Sequence, residues 1–272
     1  MLKSNETPDT PVLSGARKQE ARLDGELGDA VVRDMAARPL PKAHVIVLGN
    51  EKGGVGKSTL AAIDLDRRQQ TLTRAMTHRE ATKRRLAVDL SVPRYATVTQ
   101  QSAACLIQEI ARIGSDCEFV IIDVPGFDSP IARRAIAMAD TLVTPVNPSF
   151  LDLDLLGQFD GLTHAFKSLG HFTELVHELR EARTAHKMPE LDWIVMPNRV
   201  RSRGSRTEAQ AFEALQILSE RADFRLGQGL TERVAYRELF LLGLTHLDLR
   251  RIPQLSNIRA MAKAEVTCLI DD

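Results

Sequence analysis

The chain has 272 residues, of which 43% are apolar, and its basic residues balance its acidic residues at a formal net charge of zero. This composition excludes general disorder, and it excludes a whole-chain electrostatic attraction to nucleic acid or membranes, so such contacts would need a local patch. The chain has no apolar run long enough to span a bilayer, no signal-peptide core and no metal-type cysteine spacing, and we expect a cytoplasmic protein without a membrane partner.

The N-terminal segment differs from the rest of the chain. Residues 1–42 are rich in charge and proline, and a helix over 17–38 would have only a thin apolar face. We therefore expect residues 1–42 to form a mobile extension, with a single domain over 43–272.

Four short runs rich in β-branched residues follow, and each is typical of a strand buried on both faces. They are "HVIVLG" (44–49), "EFVIID" (118–123), "TLVTPV" (141–146) and "DWIVMP" (192–197). Apolar residues at helical spacing lie between them, at Leu106, Ile110 and Ile113, and again at Leu151, Leu155, Phe159, Leu162 and Phe166. This alternation predicts an α/β fold, with a mainly parallel β-sheet covered by helices on both faces and ligands at the carboxyl ends of its strands. The region after residue 206 is predicted to be mostly helical.

The segment "KGGVGKST" (52–59) has the context of a phosphate-binding loop, because it follows a strand and precedes helix-type residues. Its glycines would let backbone N–H groups approach phosphate oxygens, Lys57 would reach the outer phosphates, and Ser58 would bind Mg²⁺. The candidate nucleotide-binding residues are Gly53, Gly54, Val55, Gly56, Lys57, Ser58 and Thr59. Glu51 stands where the usual pattern has its first glycine, so a glycine-rich turn with a solvated lysine is the alternative.

This loop resembles the deviant Walker A loop of the ParA/MinD family of P-loop ATPases. The resemblance implies ATP and Mg²⁺ as cofactors, and an ATP-bound homodimer in which Lys52 reaches the partner's nucleotide. "FVIIDVPGFDSP" (119–130) resembles the family's Walker B and switch II segments, which implies that Asp123 holds Mg²⁺ through water. By the same resemblance, Asp66 orients the attacking water and Asn198 contacts the adenine.

Three further segments carry a resemblance to MipZ-like division-site positioning ATPases, and the "NPSFLDLDLLG" and "YRELF" stretches within them narrow it. The three segments are "VTPVNPSFLDLDLLG" (143–157), "DWIVMPNR" (192–199) and "YRELFLLGLTHLDL" (236–249). The resemblance implies slow ATP hydrolysis, recruitment through a ParB-type partition protein, inhibition of FtsZ assembly and nucleoid association through non-specific DNA. The alternatives are a ParA-type partition ATPase and a nucleotide-binding module that has lost hydrolysis.

The connection after the phosphate loop is unusually short. Only residues 58–63 separate Lys57 from the first aspartate of "IDLD" (63–66), where the family has a full helix and a strand. Strand 44–49 spans roughly 20 Å, whereas six helical residues rise only about 9 Å. We therefore expect either that residues are missing between Ala62 and Ile63, or that "IDLD" is not a parallel strand.

If the chain is complete as written, the helix should continue from Ser58 past Asp66, too far from the loop for Asp66 to position water. "RLAVDL" (85–90) would then be the available strand, with Asp89 at its tip. ATP binding would survive while turnover would be weak or absent.

The segment "NRVRSRGSR" (198–206) carries a candidate DNA-binding patch. Its members are Arg199, Arg201, Arg203 and Arg206. They could neutralise DNA phosphates, and without interleaved aromatic residues they would not stack on bases. A solvated charged loop is the alternative.

Overall fold

A computed structural model describes residues 28–37, 43–49, 63–98, 100, 102–115, 117–126, 128–201, 205–232, 238–245, 247–252 and 255. The phosphate loop at 52–59 and Arg203 lie outside these described residues.

Ten strands are described. In chain order they are β1 (His44–Leu48), β2 (Ile63–Asp64), β3 (Ala96–Thr97), β4 (Phe119–Asp123), β5 (Thr141–Val146), β6 (Gly157–Phe159), β7 (Phe166–Leu169), β8 (Asp192–Val200), β9 (Arg225–Leu226) and β10 (Leu230–Thr231). Eight of them form one sheet in the order β10-β8-β5-β1-β4-β2-β3, with β9 also pairing with β8. Every pairing in this sheet is parallel, and β6 and β7 form a separate antiparallel hairpin.

One described helix precedes β1, and the others lie between later strands. The helices are α1 (28–36), α2 (Thr71–Leu86), α3 (Ala103–Gly114), α4 (Pro130–Met138), α5 (Phe150–Leu153), α6 (His171–Ala185) and α7 (Arg206–Arg221), and a 3-10 turn follows at Asp248–Arg251.

Apolar cores lie on both faces of the sheet. Successive side chains of a strand point to opposite faces. In β1, Val45 and Val47 join the large core cluster, whereas Leu48 packs in a second cluster with Leu72 and Met76 of α2. The predicted α/β fold with a mainly parallel sheet covered by helices on both faces is therefore confirmed.

The four predicted strands are present as β1, β4, β5 and β8, with ends that differ by at most a few residues. They are central in the sheet, so a continuous β-branched run was a sufficient signal for them.

The helix predicted from the spacing over 151–166 is wrong. The helix α5 ends after a single turn, and the β6–β7 hairpin follows. The carboxylate of Asp160 turns the chain by accepting hydrogen bonds from the backbone N–H groups of Leu162 and Thr163, both at 2.9 Å. The connection spans residues 160–165, where Asp160 N–H donates to the carbonyl of Ala165 at 2.8 Å and His164 has φ of 55°, and this turn interrupts the helical spacing.

The prediction that "IDLD" is not a parallel strand is also wrong. Ile63 and Asp64 form β2, which pairs in parallel with β4 on one side and β3 on the other. A turn at 67–69 follows, and the next helix begins at Thr71 rather than continuing from Ser58. Residues 85–90 are not a strand, because α2 runs to Leu86 and Ala87 ends it in a left-handed conformation with φ of 49°.

The strand register explains why the short connection suffices. Leu48 and Asp64 both align with Asp123, so the chain leaves β1 and enters β2 at the same height of the sheet. Because β2 has only two residues, the connection need not return along the full length of a strand. The described ends of the connection lie on β1 and β2, which only β4 separates in the sheet, about two strand spacings or about 10 Å.

The expected mobile extension needs a correction for its described part. Residues 28–36 are helical, and Val32 and Met35 are buried in the main core. His186 also contacts Asp29, with 3.0 Å between Nε2 and Oδ1. Residues 28–37 therefore belong to the packed structure, and the assignment of 43–272 as the ATPase domain stays a prediction.

Candidate nucleotide-binding site

One row of residues crosses four adjacent strands at the carboxyl end of the sheet. In spatial order its members are Leu48, Asp123, Asp64 and Thr97, and each is the register partner of the next. Ligands of open parallel sheets bind beyond this edge. The described chain follows β1 to Gly49 at this edge, and the phosphate-loop sequence (52–59) comes next in the sequence.

Asp123 ends β4 and is 1% exposed. Its backbone carbonyl accepts a hydrogen bond from Leu65 N–H at 2.9 Å, which extends the β2–β4 pairing by one residue. The structure therefore places the predicted Mg²⁺ carboxylate at a strand end between Leu48 and Asp64. Among the described residues, no group of three or more potential metal ligands converges. Mg²⁺ bound with a nucleotide is held by one or two carboxylates together with phosphate oxygens, so a single carboxylate such as Asp123 suits that role.

Asp64 is fully buried and accepts three hydrogen bonds. Its Oδ1 accepts from the backbone N–H of Asp66 at 2.9 Å, and its Oδ2 accepts from the N–H and the hydroxyl of Thr73, each at 3.2 Å. Burial raises the pKa of Asp64, and these hydrogen bonds offset that effect only in part. The described groups that shift the pKa of Asp64 include no cation.

Asp64 also anchors the first turn of α2 through a hydrogen bond. The N-cap residue Gln70 makes no side-chain cap, and the first turn of α2 has no acidic residue. The first N–H groups of a helix need acceptors from outside it. The carboxylate of Asp64 accepts a hydrogen bond from the N–H of Thr73, so the start of α2 is anchored to β2.

Asp66 lies in the turn between β2 and α2. Its Oδ1 accepts hydrogen bonds from the N–H groups of Arg68 and Gln69, at 3.0 and 3.1 Å. The residue is half-buried and stands two positions beyond the aspartate row. The predicted placement of Asp66 on a continued helix is therefore wrong, because that placement assumed that β2 is absent.

Two asparagines lie at the carboxyl edge of the sheet on the other side of β1 from Asp123. Asn147 follows β5, and its Nδ2 donates to Asp152 at 3.0 Å, which holds the loop that leads into α5. Asn198 lies on β8, one residue beyond the level where β5 ends, and it is half-buried. The structure thus places the predicted adenine contact at the carboxyl edge, three strands away from Asp123 in the sheet order.

The described arginines of the candidate DNA patch lie around one connection. Arg199 is near the end of β8 with φ of 54°, Arg201 follows that strand, and Arg206 is the first residue of α7. All three are exposed. The connection is anchored because Glu208 accepts from the N–H groups of Arg201 and Ser205, at 3.0 and 3.3 Å.

The sequence predictions missed Thr73 and Thr97. Their hydroxyl oxygens lie 2.7 Å apart beside Asp64. A threonine in the first turn of the helix that follows "IDLD" was the available signal for Thr73, and nothing local distinguished Thr97.

A buried carboxylate row at the carboxyl edge of a parallel sheet, beside a phosphate-loop sequence, defines a nucleotide-binding protein of the P-loop class. Residues 44–272 match the family described as ATPase MipZ. The chain belongs to this family, and it is accordingly an ATPase of the positioning or partition type.

The fold also resembles solved structures at low sequence identity. Apo McdA from Cyanothece is 18% identical with a TM-score of 0.55, and the match covers 82% of this chain and 99% of that one. An ATP complex of a variant of Cyanothece McdA is 16% identical with a TM-score of 0.54, covering 84% and 97%. The MinC:MinD cell division protein complex from Aquifex aeolicus is 14% identical with a TM-score of 0.49, covering 84% and 95%.

No curated protein matches the chain. Within the described part of the chain, no helix is both long and apolar enough to cross a membrane.

Proposed function

We propose that the protein is an ATP-dependent dimerising switch that positions the cell-division site by inhibiting FtsZ assembly. Its family membership supports this function. The observation that carries the proposed ATP site is the row of Leu48, Asp123 and Asp64 at the carboxyl end of β1, the strand that precedes the phosphate-loop sequence in the chain.

In this proposal, residues 53–59 cradle the phosphates, with Lys57 as the main cation and Asn198 against the adenine. Ser58 and Asp123 hold Mg²⁺, which neutralises phosphate charge when it is bound. Lys52 reaches the partner's ATP, so the nucleotide state controls the dimer. A long, flexible side chain with a compact charge suits that role.

We assign hydrolysis to the site because β2 is present. Asp66 follows β2 from the carboxyl edge, and its backbone is held by Asp64. In this position Asp66 can orient the attacking water, which the expected continuous helix would have prevented. The presence of β2 therefore supports hydrolysis over the alternative of a module without it.

Replacing Lys57 tests the nucleotide site. Lys57→Ala should cost roughly 1.5–3 kcal/mol of ATP binding free energy, because a charge-assisted contact to phosphate is lost. Calorimetric titration measures this, with Lys83→Ala in the exposed last turn of α2 as the matched control. Equal ATP affinity in Lys57→Ala and the wild type would remove the site from the proposal.

The same variant tests the division function. ATP-loaded wild-type protein should lower the amount of FtsZ polymer in a sedimentation assay, and Lys57→Ala should not. If the wild-type dimer leaves the amount of FtsZ polymer unchanged, the result favours the alternative function of a partition ATPase. Recruitment by a ParB-type protein is measured separately, by binding in the presence of ATP.

We further propose that non-specific DNA binds the arginines at 199, 201, 203 and 206. One weak patch per subunit would be doubled on an ATP dimer, which raises avidity. DNA affinity should fall with rising salt as counterions are released, and replacing these four arginines by alanine should flatten that dependence. Unchanged DNA binding by the alanine variant would exclude this surface.

A further inference from the structure

Thr73 is the point where three elements meet. It lies in the first turn of α2, its hydroxyl contacts Asp64 of β2 at 3.2 Å, and the same hydroxyl lies 2.7 Å from that of Thr97 on β3. These hydroxyls lie beside the edge strand of the described sheet, because β3 has no described neighbour beyond β2.

The direction of these hydrogen bonds follows from the chemistry of the groups. An ionised carboxylate only accepts, so the hydroxyl of Thr73 donates to Asp64. That hydroxyl has no second proton, so the hydroxyl of Thr97 must donate to Thr73. The result is a one-way chain from β3 through α2 to the carboxylate on β2.

The other oxygen of Asp64 continues the chain to Asp66. Its Oδ1 accepts from Asp66 N–H at 2.9 Å, and Asp66 in turn accepts from the N–H groups of Arg68 and Gln69. Side-chain carboxylates therefore fix the N–H groups of residues 66, 68 and 69 in the turn, and backbone carbonyls accept from those of residues 65, 67 and 70. Asp64 is the link, because one oxygen faces Thr73 and the other faces Asp66.

We propose that Thr73 is a positioning residue for ATP hydrolysis, which it serves by locking Asp64 and thereby the turn that carries Asp66. This inference rests on the proposed ATPase function. Thr73 does not touch the reacting atoms in this account. It sets the placement of a carboxylate for which small displacements cost rate.

Thr73→Val tests the proposal, because valine keeps the shape of threonine and removes its hydroxyl. The backbone N–H of residue 73 still donates to Asp64, so the start of α2 keeps one hydrogen bond to β2. The catalytic constant should fall by about tenfold while the KM for ATP changes by less than about twofold. Thr73→Ser should restore the catalytic constant to within about twofold of the wild type.

Thr77→Val is the matched control. Thr77 is an exposed threonine one helical turn later, and its hydroxyl bonds only to the carbonyl of Thr73 within the helix, at 2.9 Å. This variant should leave both constants unchanged. Hydrogen exchange of the Asp66 amide, measured without nucleotide, should be faster in Thr73→Val than in Thr77→Val.

The outcomes separate the inference from the proposed function. A wild-type protein without ATP turnover overturns both. Wild-type turnover with an unchanged catalytic constant in Thr73→Val overturns the inference alone. A loss in Thr73→Val that Thr73→Ser does not restore, or that appears equally in KM, also overturns it, since that pattern reports general damage to the fold.

Discussion

Two buried aspartates contact the same helix and have opposite pKa shifts. Asp64 is held by Thr73 in the first turn of α2, and Asp248 is held by Arg79 two turns later. Burial raises the pKa of Asp64. Burial acts in the same direction on Asp248, but hydrogen bonds from Arg79 and Thr245 outweigh it, so the pKa of Asp248 lies below its usual value.

The difference lies in the charge of the partners. Arg79 donates two hydrogen bonds to the carboxylate of Asp248, both at 2.7 Å, and it also donates to the carbonyls of Ser91 and Gly243. The described contacts of Asp64 are with neutral donors, and the charge of Asp66 nearby disfavours its ionised form further. Asp248 is therefore a structural anion, whereas Asp64 lies in an electronegative region that would favour a cation.

The ion pair belongs to a set of contacts between α2 and the C-terminal segment (239–252), which we call the clasp. Leu90 packs there against Leu239, Leu244 and Ile252. Gly243 has φ of 62°, and a Cβ on it would meet the backbone of α2 at Ala75 and Arg79. The clasp thus requires both a glycine and an arginine, and the start of α2 contacts the candidate site whereas its continuation contacts the C-terminal segment.

Breaking the clasp should give the largest effect on stability. Arg79→Met removes one partner of a buried ion pair, which should lower the free energy of unfolding by about 3–5 kcal/mol. Urea unfolding measures this, with the exposed Arg84→Met on the same helix as control. A loss below about 1 kcal/mol, or one equal to the control, would show that the pair does not anchor the C-terminal segment.

The two aspartates should also give pH dependences of opposite sign. A lowered folded-state pKa means that Asp248 contributes stability above its unfolded pKa of about 3.9, and this contribution is lost as the pH falls through the folded value. The stability lost in Asp248→Asn should therefore shrink toward acid pH. Asp64 has a raised pKa, so the loss in Asp64→Asn should grow toward acid pH.

Unfolding free energies between about pH 3 and pH 7 measure both slopes. Parallel slopes for the two variants would show that the two carboxylates do not differ in their electrostatic environments.

The sequence was sufficient for the central strands and for the class of site, because continuous β-branched runs and a glycine-rich loop are local signals. It was not sufficient for β2. The prediction assumed a full-length strand beside β1, whereas β2 has two residues and lies beside β4. The helical spacing over 151–166 was misleading because the turn held by the Asp160 carboxylate interrupts it.

The polar contacts of α2 could not be read from the sequence. Thr73 and Thr97 are 24 residues apart, and Arg79 and Asp248 are 169 residues apart. Only the sheet order and the packing of the C-terminal segment bring these groups together, and neither has a local sequence signal.

Asp66→Ala tests the central claim most directly, which is that this chain both binds and hydrolyses ATP. ATP affinity and single-turnover hydrolysis are measured on the wild type and on this variant. Positioning of the attacking water by Asp66 predicts nearly equal affinity and a loss of hydrolysis of about a hundredfold. Wild-type protein that binds ATP without turnover, or equal turnover in the two proteins, would contradict the account.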